Sequence, residues 1–295
     1  MARSGWIILD KPLGMGSTQA VAAVKRALRE AGEPKTRVGH GGTLDPLASG
    51  VLPIALGEAT KLAGRLLDAA KDYEFTIRFG EETDTLDLEG KVIAASGVRP
   101  ARSEVDAVLP SFTGAIEQVP PSFSALKVGG KRAYDLARAG EEVELSTRTV
   151  TVHRLQLVTA TDDEVTLSAS VSKGTYIRSL ARDIARALGT VGHVVMLRRT
   201  RAEPFSIEQA VSLDFLERSA KARDLDRAVL PLEAGLGDMP RLALSEEEAR
   251  LLRHGQMLGT TAAPGLYFAH FAAQPVALVE VQDGQARVVR GFQLE

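Results

Sequence analysis

The chain has 295 residues, of which 44% are hydrophobic and 25% are charged, the values of an ordinary soluble globular protein. No apolar run approaches the roughly 18 residues that a membrane helix needs. The absence of cysteine excludes disulfides, thiolate metal ligands and a cysteine nucleophile. We therefore expect a cytoplasmic protein without a membrane span, built as one large domain or a large domain with a small one.

The net charge of −2 hides an uneven distribution along the chain. Residues 173–201 carry seven basic side chains and one acid, and residues 121–139 carry four basic side chains and one acid. Phosphate attraction is local, so a nearly neutral protein can present a nucleic-acid-binding face. Solvated helix faces would explain the same counts equally well.

The amino-terminal part contains one predicted helix and one predicted strand. Apolar residues recur at helical spacing from 21 to 28 after Ser17, which we expect to cap the helix, and the pattern ends near Gly32. From 73 to 79 apolar residues alternate with polar ones, which predicts a half-buried strand.

The middle of the chain combines a connection with a second strand and helix. Residues 120–140 are polar and basic and predict an insertion, with a short helix near 134–138. Alternation from 165 to 171 predicts a strand, and residues 175–188 carry one apolar stripe, which predicts a helix.

The carboxyl-terminal part follows a glycine-rich segment, 235–240, that we interpret as a linker. A capped helix is predicted from 245 to 253, and short strands are predicted from 276 to 289 around an Asp-Gly turn. About 55 residues is little for an independent core, so we expect this part to pack on the rest. Strands and helices do not alternate regularly, and the predicted class is α+β.

The loop from 39 to 50 is the most informative segment, because it places Asp45 among glycines and directly before Pro46. Glycines permit close approach of a ligand, and proline stiffens the chain after the acid. An aspartate in such a loop can be a nucleophile, a general base or a metal ligand, or it can merely cap a turn.

Other types of site have no supporting pattern. The five histidines show no zinc-ligand spacing. There is no Gly-x-x-x-x-Gly-Lys-Ser/Thr phosphate loop and no Gly-x-Ser-x-Gly elbow. The sequence therefore predicts neither a metal nor a nucleotide cofactor.

Several motifs occur in a fixed order around the Asp45 loop. They are Asp10-Lys11-Pro12 with Gly14, Gly57-Glu58-Ala59-Thr60-Lys61, Lys71-Asp72-Tyr73, Thr83-Asp84-Thr85-Leu86-Asp87, Pro121-Ser122-Phe123-Ser124-Ala125-Leu126-Lys127, Ser172-Lys173-Gly174-Thr175-Tyr176-Ile177-Arg178 and His193-Val194-Val195-Met196-Leu197-Arg198-Arg199. Together with His40 to Gly50, this set resembles the TruB family of pseudouridine synthases, which isomerise a uridine in the tRNA T loop, known as position 55. The resemblance is strong from 5 to 204 and weaker beyond. Gly16 departs from it, because the family often has threonine or serine there.

The resemblance implies the pseudouridine synthase fold, with a mixed, mostly antiparallel sheet flanked by helices over residues 1–235. Its RNA-binding insertion corresponds to about 118–145. A small β-rich, PUA-like RNA-binding domain corresponds to 240–295. The family needs no cofactor or metal, and its partner is the T stem-loop of tRNA. We expect a monomer with no obligatory protein partner.

The resemblance also assigns catalytic roles. Asp45 matches the essential carboxylate, which could add to the base, attack the sugar or remove a sugar proton. Arg178 matches its charge partner, and a bidentate contact would fix the orientation of the acid. Tyr73 matches a tyrosine that stacks on the target base, although it also begins the apolar alternation of a strand and could be a core aromatic.

The predicted RNA contacts surround this centre. His40 would contact RNA near the space that the flipped base leaves, and Tyr176 and Leu197 would line the uridine pocket. Basic side chains of the insertion would meet phosphates, which position RNA without reading its sequence. The residues predicted to bind substrate or RNA are His40, Tyr176, Leu197, Lys61, Lys127, Lys131 and Arg132.

Three alternatives remain open at this point. A guide-RNA-dependent relative shares the aspartate loop, but such relatives usually carry a longer carboxyl-terminal part with basic extensions. A tRNA-binding or tRNA-folding protein with secondary catalysis would keep the same surface. A retaining glycosidase would pair Asp45 with Asp84 or Asp87, but one tryptophan and few aromatics do not favour a sugar-binding groove.

Overall fold

The computed structural model describes residues 3–124, 126–128, 130–138 and 145–293. The helices are α1 (Ser17–Glu30), α2 (Ala63–Asp68), α3 (Arg102–Val108), α4 (Ala133–Arg138), α5 (Ile177–Ala187), α6 (Leu213–Lys221) and α7 (Glu246–Arg253). None of the helices in these ranges is both long enough and apolar enough to cross a membrane.

The strands form one large sheet, a second sheet at the carboxyl end and two small hairpins. They are β1 (Gly5–Lys11), β2 (Val38–His40), β3 (Ala48–Leu56), β4 (Lys71–Phe79), β5 (Glu81–Thr83), β6 (Val92–Ala95), β7 (Gly114–Gln118), β8 (Lys127–Val128), β9 (Lys131–Arg132), β10 (Arg148–Ala160), β11 (Glu164–Val171), β12 (Gly192–Ala202), β13 (Phe205–Ser206), β14 (Val211–Ser212), β15 (Arg241–Ala243), β16 (Leu258–Gly259), β17 (Gly265–Phe271), β18 (Gln274–Gln282) and β19 (Gln285–Gly291).

The large sheet runs in the order β14-β1-β3-β12-β4-β11-β10-β7, with β2 attached to β3 and β13 attached to β12. The pairs β1–β14 and β3–β12 are parallel, and the other pairs are antiparallel. This confirms the predicted α+β class with a mixed, mostly antiparallel sheet. In its centre, Leu197 lies beside Ala48 on one side and Phe75 on the other. The register therefore brings the end of the Asp45 loop next to β12 and β4.

Helices cover the large sheet in two apolar clusters. The apolar stripe of α5 packs Leu180 and Ile184 against Phe75, Ile77 and other side chains of β4 and β11. The helix α1 packs with α6 against the apolar side chains of β1 and β3. The predicted strands at 73–79 and 165–171 and the helix near 175–188 are thus confirmed, although α5 begins at Ile177.

The start of α1 differs from the prediction. Gly16, not Ser17, is the N-cap residue, and its N–H donates to Gln19 Oε1 at 2.8 Å. Ser17 is the first helical residue, and its hydroxyl bonds to Leu44 in the Asp45 loop. A serine hydroxyl can bind a neighbouring loop as readily as the backbone of its own helix. Here it binds the loop, at Leu44.

The carboxyl-terminal sheet has the order β15-β17-β18-β19-β16. Its helix α7 is capped by Ser245, and β18 and β19 meet at the predicted Asp283-Gly284 turn, where both residues have positive φ. Phe268 of β17 joins an apolar cluster with Trp6 of β1, so this sheet packs on the rest as expected. Gly235, assigned to a linker from the sequence, is buried against the Trp6 ring, where a Cβ would collide.

Candidate active site

The Asp45 loop, residues 41–47, joins β2 to β3. The neighbours of Asp45 are held by side chains from other parts of the chain. Ser17 Oγ accepts from Leu44 N–H at 2.8 Å and lies 2.9 Å from Leu44 O, to which it donates. Arg199 Nη1 donates to Thr43 O at 3.2 Å. The loop backbone is therefore fixed on the amino-terminal side of the acid by buried polar groups, which are costly to leave unpaired.

Lys11 holds the other side of the loop. Its side chain is fully buried, and Nζ lies 2.5 Å from Met15 O, 3.0 Å from Pro12 O and 3.5 Å from Pro46 O. Burial lowers its pKa to about 8, with Asp45 acting in the opposite direction and Arg199 adding to the decrease. The Asp10-Lys11-Pro12 motif thus supports the loop through the contact of Lys11 with Pro46 O. Sequence reasoning identified this motif but assigned no role to Lys11.

Arg178 pairs with Asp45 from the first turn of α5. Its Nη2 donates to Asp45 Oδ2 at 2.9 Å and to Phe123 O at 3.1 Å, while Nη1 donates to Thr85 O at 2.9 Å and to Asp87 Oδ2 at 3.1 Å. The arginine side chain is 8% exposed and the Asp45 side chain is 45% exposed. The expected pairing is therefore present. The expected bidentate contact is wrong, because the guanidinium divides its donors between two carboxylates and two carbonyls.

Asp87 is the functional residue that sequence reasoning missed. Its Oδ1 accepts from Thr85 Oγ1 at 2.5 Å and from Glu89 N–H at 3.0 Å, while Oδ2 faces Arg178. The carboxylate is buried and fully hydrogen-bonded, as a buried charge must be. The signal was present, since Asp87 ends one of the motifs, but only a glycosidase role had been considered for it.

A pocket of about 190 Å³ opens beside the ion pair. Its walls include Asp45, Tyr73, Tyr176, Arg178 and Leu197. Five residues predicted from four separate motifs therefore come together around one cavity. Tyr73 also packs against both apolar clusters, as expected of a core aromatic. A neighbouring cavity of about 500 Å³ shares Asp45 and Arg178 and extends toward the described part of the insertion.

The remaining predicted residues lie outside this pocket. His40 ends β2, and its Nδ1 is buried without a hydrogen-bond partner in the described part of the chain. Burial lowers the pKa of His40, and Arg199 adds to this effect. Lys61 binds Glu58 and the carbonyl of Gly291, between the two sheets. These positions leave their predicted RNA contacts untested.

The predicted phosphate contacts of the insertion fall on side chains outside the described residues. The backbone of Lys127, Lys131 and Arg132 forms the β8–β9 hairpin. Within the residues that the structure describes, no three His, Asp or Glu side chains gather as metal ligands. The expected independence from metals and cofactors stays a prediction.

Family models match almost the entire chain. Residues 26–177 match the TruB family pseudouridylate synthase (N terminal domain), and residues 178–237 match the tRNA pseudouridylate synthase B C-terminal domain. Residues 239–293 match the model for tRNA pseudouridine synthase II, C terminal.

Full-length relatives and solved structures agree with these models. The tRNA pseudouridine synthase B of Novosphingobium aromaticivorans is 62% identical over 99% of this chain and 98% of its own length, and that of Zymomonas mobilis is 58% identical over 99% and 96%. A solved H/ACA RNP bound to a substrate RNA containing 2′-deoxyuridine includes a chain with a TM-score of 0.74 at 25% identity, covering 98% of this chain and 85% of that one. An archaeal box H/ACA Nop10–Cbf5 complex gives a TM-score of 0.72 at 26% identity, over 98% and 86%. The predicted fold with its small β-rich carboxyl-terminal domain is confirmed, and the chain belongs to the TruB family of pseudouridylate synthases.

Proposed function

We propose that this protein isomerises uridine to pseudouridine in the T loop of tRNA, at position 55, with Asp45 as the essential carboxylate. The observation that carries the proposal is the Asp45 Oδ2–Arg178 Nη2 contact of 2.9 Å at the wall of a pocket shared with Tyr73, Tyr176 and Leu197. Relatives that are 62% and 58% identical are named tRNA pseudouridine synthase B, which supports tRNA as the substrate.

The reaction needs no electron transfer. The bond between C1′ and N1 of uridine breaks, a bond between C1′ and C5 forms, the proton on C5 leaves and N1 gains a proton. Arg178 binds Asp45 through Oδ2, so Oδ1 remains for the substrate. An oriented carboxylate that is 45% exposed can act as a nucleophile or as a base on the uridine.

The target base must leave its stack before it reaches Asp45, at a cost of about a few kcal/mol. Tyr73 offers a ring for stacking at the pocket wall, which would offset part of this cost. Tyr176 and Leu197 form the rest of the base site. His40, at the end of β2, would contact RNA near the vacated position.

Phosphate contacts would position the tRNA around the pocket. Lys127, Lys131 and Arg132 of the insertion would bind the T stem-loop, and Lys61 with the carboxyl-terminal domain would bind elsewhere on the tRNA. We propose a cytoplasmic monomer that works without an obligatory protein partner.

The test uses purified protein and an unmodified tRNA transcript labelled with tritium at uridine C5, with no other RNA or protein present. We expect the wild type to release tritium from one T-loop position and Asp45→Asn to release none while still binding the tRNA. Asp163→Asn is the matched control, because that carboxylate binds Arg99 away from the pocket.

Each outcome discriminates among the candidate functions. Binding without tritium release by the wild type would favour a guide-dependent or RNA-folding protein. Full activity of Asp45→Asn would refute the assigned carboxylate.

A further inference from the structure

Gln118, the last residue of β7, makes two hydrogen bonds to the backbone of Tyr176. Its Oε1 accepts from Tyr176 N–H at 2.8 Å, and its Nε2 donates to Tyr176 O at 3.1 Å. The side chain is 1% exposed. The orientation of the amide is fixed by chemistry, because a backbone N–H must face the oxygen and a carbonyl must face the nitrogen. Gln118 therefore binds both the N–H and the carbonyl of Tyr176, and we call these two hydrogen bonds the Gln118 clamp.

Tyr176, the residue that Gln118 binds, lies at the start of α5. Tyr176 is the N-cap of this helix, and its carbonyl also accepts the first helical hydrogen bond, from Leu180 N–H at 3.0 Å. No side chain of α5 caps its own first turn. Gln118 supplies the missing polar partner from a strand that is 58 residues away in the chain.

The same clamp controls two residues of the pocket. Tyr176 lines the cavity beside Asp45, and Arg178 follows two residues later. A rotation of the Tyr176 backbone would move the ring away from the base site and Arg178 away from the acid. Arg148, the partner of Gln118 across β7 and β10, places its guanidinium 4.8 Å from the centre of the Tyr176 ring. Ring and backbone are thus held by one pair of facing strand residues.

The clamp also lies at the root of the insertion. The next residue, Val119, accepts from Ser179 Oγ at 2.8 Å and from Arg182 Nη2 at 3.2 Å through its carbonyl. Further along, Phe123 O accepts from Arg178. The point where the insertion leaves the sheet is therefore bonded to the turn of α5 that carries the catalytic arginine.

We propose that Gln118 is a positioning residue for the isomerisation, which sets Tyr176 and Arg178 against Asp45 by holding the backbone of Tyr176. The inference rests on the proposed function, because it concerns the rate of that reaction. Gln118 lies outside the pocket wall, so it acts through Tyr176 and touches no reacting atom.

The test measures single-turnover tritium release and tRNA binding separately. We expect Gln118→Ala to slow release about 10-fold to 100-fold, the effect of a misplacement near 1 Å, with the Kd for tRNA changed by less than about twofold. Gln209→Ala is the control, since Gln209 also binds a backbone N–H, that of Ser206, but outside the pocket. It should react at the wild-type rate.

Gln118→Glu distinguishes hydrogen bonding from simple packing. A protonated glutamic acid can accept from Tyr176 N–H and donate to Tyr176 O, whereas the carboxylate repels that carbonyl. Burial raises the pKa of a carboxyl group, so we expect the rate of Gln118→Glu relative to wild type to rise as the pH falls from 8 to about 5.5. Thermal unfolding at each pH shows that the compared proteins are folded.

Three outcomes would overturn the inference. Wild-type release by Gln118→Ala, or a Gln118→Glu rate ratio that does not change with pH, refutes it while leaving the proposed function intact. Absence of tritium release by the wild type refutes the proposed function, and the role of Gln118 fails with it.

Discussion

The Asp45 loop is fixed through its backbone, whereas the first turn of α5 presents an arginine that is fixed through its side chain. Ser17 and Lys11 hold the carbonyls and N–H groups on either side of Asp45, and the carboxylate itself stays 45% exposed. Arg178 is 8% exposed and divides its donors among four acceptors. The carboxylate of Asp45 is therefore partly exposed, whereas the guanidinium of Arg178 that orients it is buried and held by four acceptors.

The two carboxylates around this one arginine also have different environments. Asp87 is buried and accepts from Thr85 and Glu89 as well as from Arg178, so its oxygens are occupied. Asp45 lines the cavity and is bound by Arg178 through one oxygen. These environments suit Asp87 to anchoring the arginine and Asp45 to the role that we propose for it at the pocket.

After the loss of Asp45 itself, the largest effect should come from replacing the shared arginine. Arg178→Lys keeps the charge but cannot bind both carboxylates with a planar fork, so Asp45 loses its fixed orientation. We expect single-turnover tritium release to fall about 10²-fold to 10³-fold, with little change in tRNA binding. Arg186→Lys is the control on the same helix, because the exposed Arg186 side chain pairs with Glu82. A rate for Arg178→Lys near that of this control would contradict the comparison.

A smaller loss is expected when the anchor is changed. Asp87→Asn has one oxygen for three donors, so an amide N–H must face either Arg178 or the Thr85–Glu89 pair. We expect the free energy of unfolding to fall by about 1–3 kcal/mol and tritium release to slow about 10-fold to 100-fold.

Urea unfolding and single-turnover kinetics measure these two effects. Asp84→Asn serves as the neighbouring control, because Asp84 binds only the exposed turn at Lys91 N–H. If Asp87→Asn had the stability and the rate of wild type, the position of Arg178 would not depend on its contact with Asp87.

The sequence could predict the elements but only part of this arrangement. Alternation at 73–79 and the apolar stripe of α5 are local patterns, and both identify the faces that the structure buries. The prediction that Asp45, Tyr73 and Arg178 lie together came from the family resemblance, because members of a family keep the motifs that line a shared pocket. The structure then adds distances that the motifs do not contain.

The supporting contacts had no periodic signal in the sequence. Asp87 meets Arg178 across 91 residues, and Ser17 meets Leu44 across 27. Each contact depends on how loops pack after the sheet has formed. Ser17 shows the limit clearly, since a serine before a helical pattern predicts an N-cap, and only tertiary packing reveals that its hydroxyl binds a loop instead.

The backbone support of the loop gives a third prediction. Ser17→Ala leaves the N–H and carbonyl of Leu44 buried and unpaired, so we expect the free energy of unfolding to fall by about 1–3 kcal/mol. Tritium release should slow by less than about tenfold, because Arg178 still orients the carboxylate. Ser111→Ala removes an exposed hydroxyl that binds Val108 O and provides the baseline for both measurements. An unchanged stability would mean that the loop keeps its shape without Ser17.

The smallest effect is the contribution of Lys11 to the pH dependence of stability, which is measured apart from any constant loss of stability in the variant. Burial lowers the pKa of Lys11 to about 8 in the folded protein, whereas a lysine in an unfolded chain has a pKa of about 10.4. Between these values the unfolded chain binds more protons than the native one, so this group makes the free energy of unfolding rise with pH. We expect Lys11→Met to gain less stability than wild type between pH 8 and 10 in urea titrations. Lys25→Met, on the exposed face of α1, should follow the wild type.

If the free energy of unfolding rose equally with pH in Lys11→Met and in wild type, the low pKa of Lys11 would be contradicted. A clear difference would show that the protein bears the cost of a buried ammonium at neutral pH. The contacts of Nζ explain why the protein keeps this buried ammonium, since a charged lysine has three donors for the carbonyls of Pro12, Met15 and Pro46. A methionine of similar length fills the space but binds none of them. The Asp45 loop would then lose one of its supports on the carboxyl side of Asp45, while the hydrogen bond from Gly14 N–H to Pro46 O and the contact with Arg178 would remain.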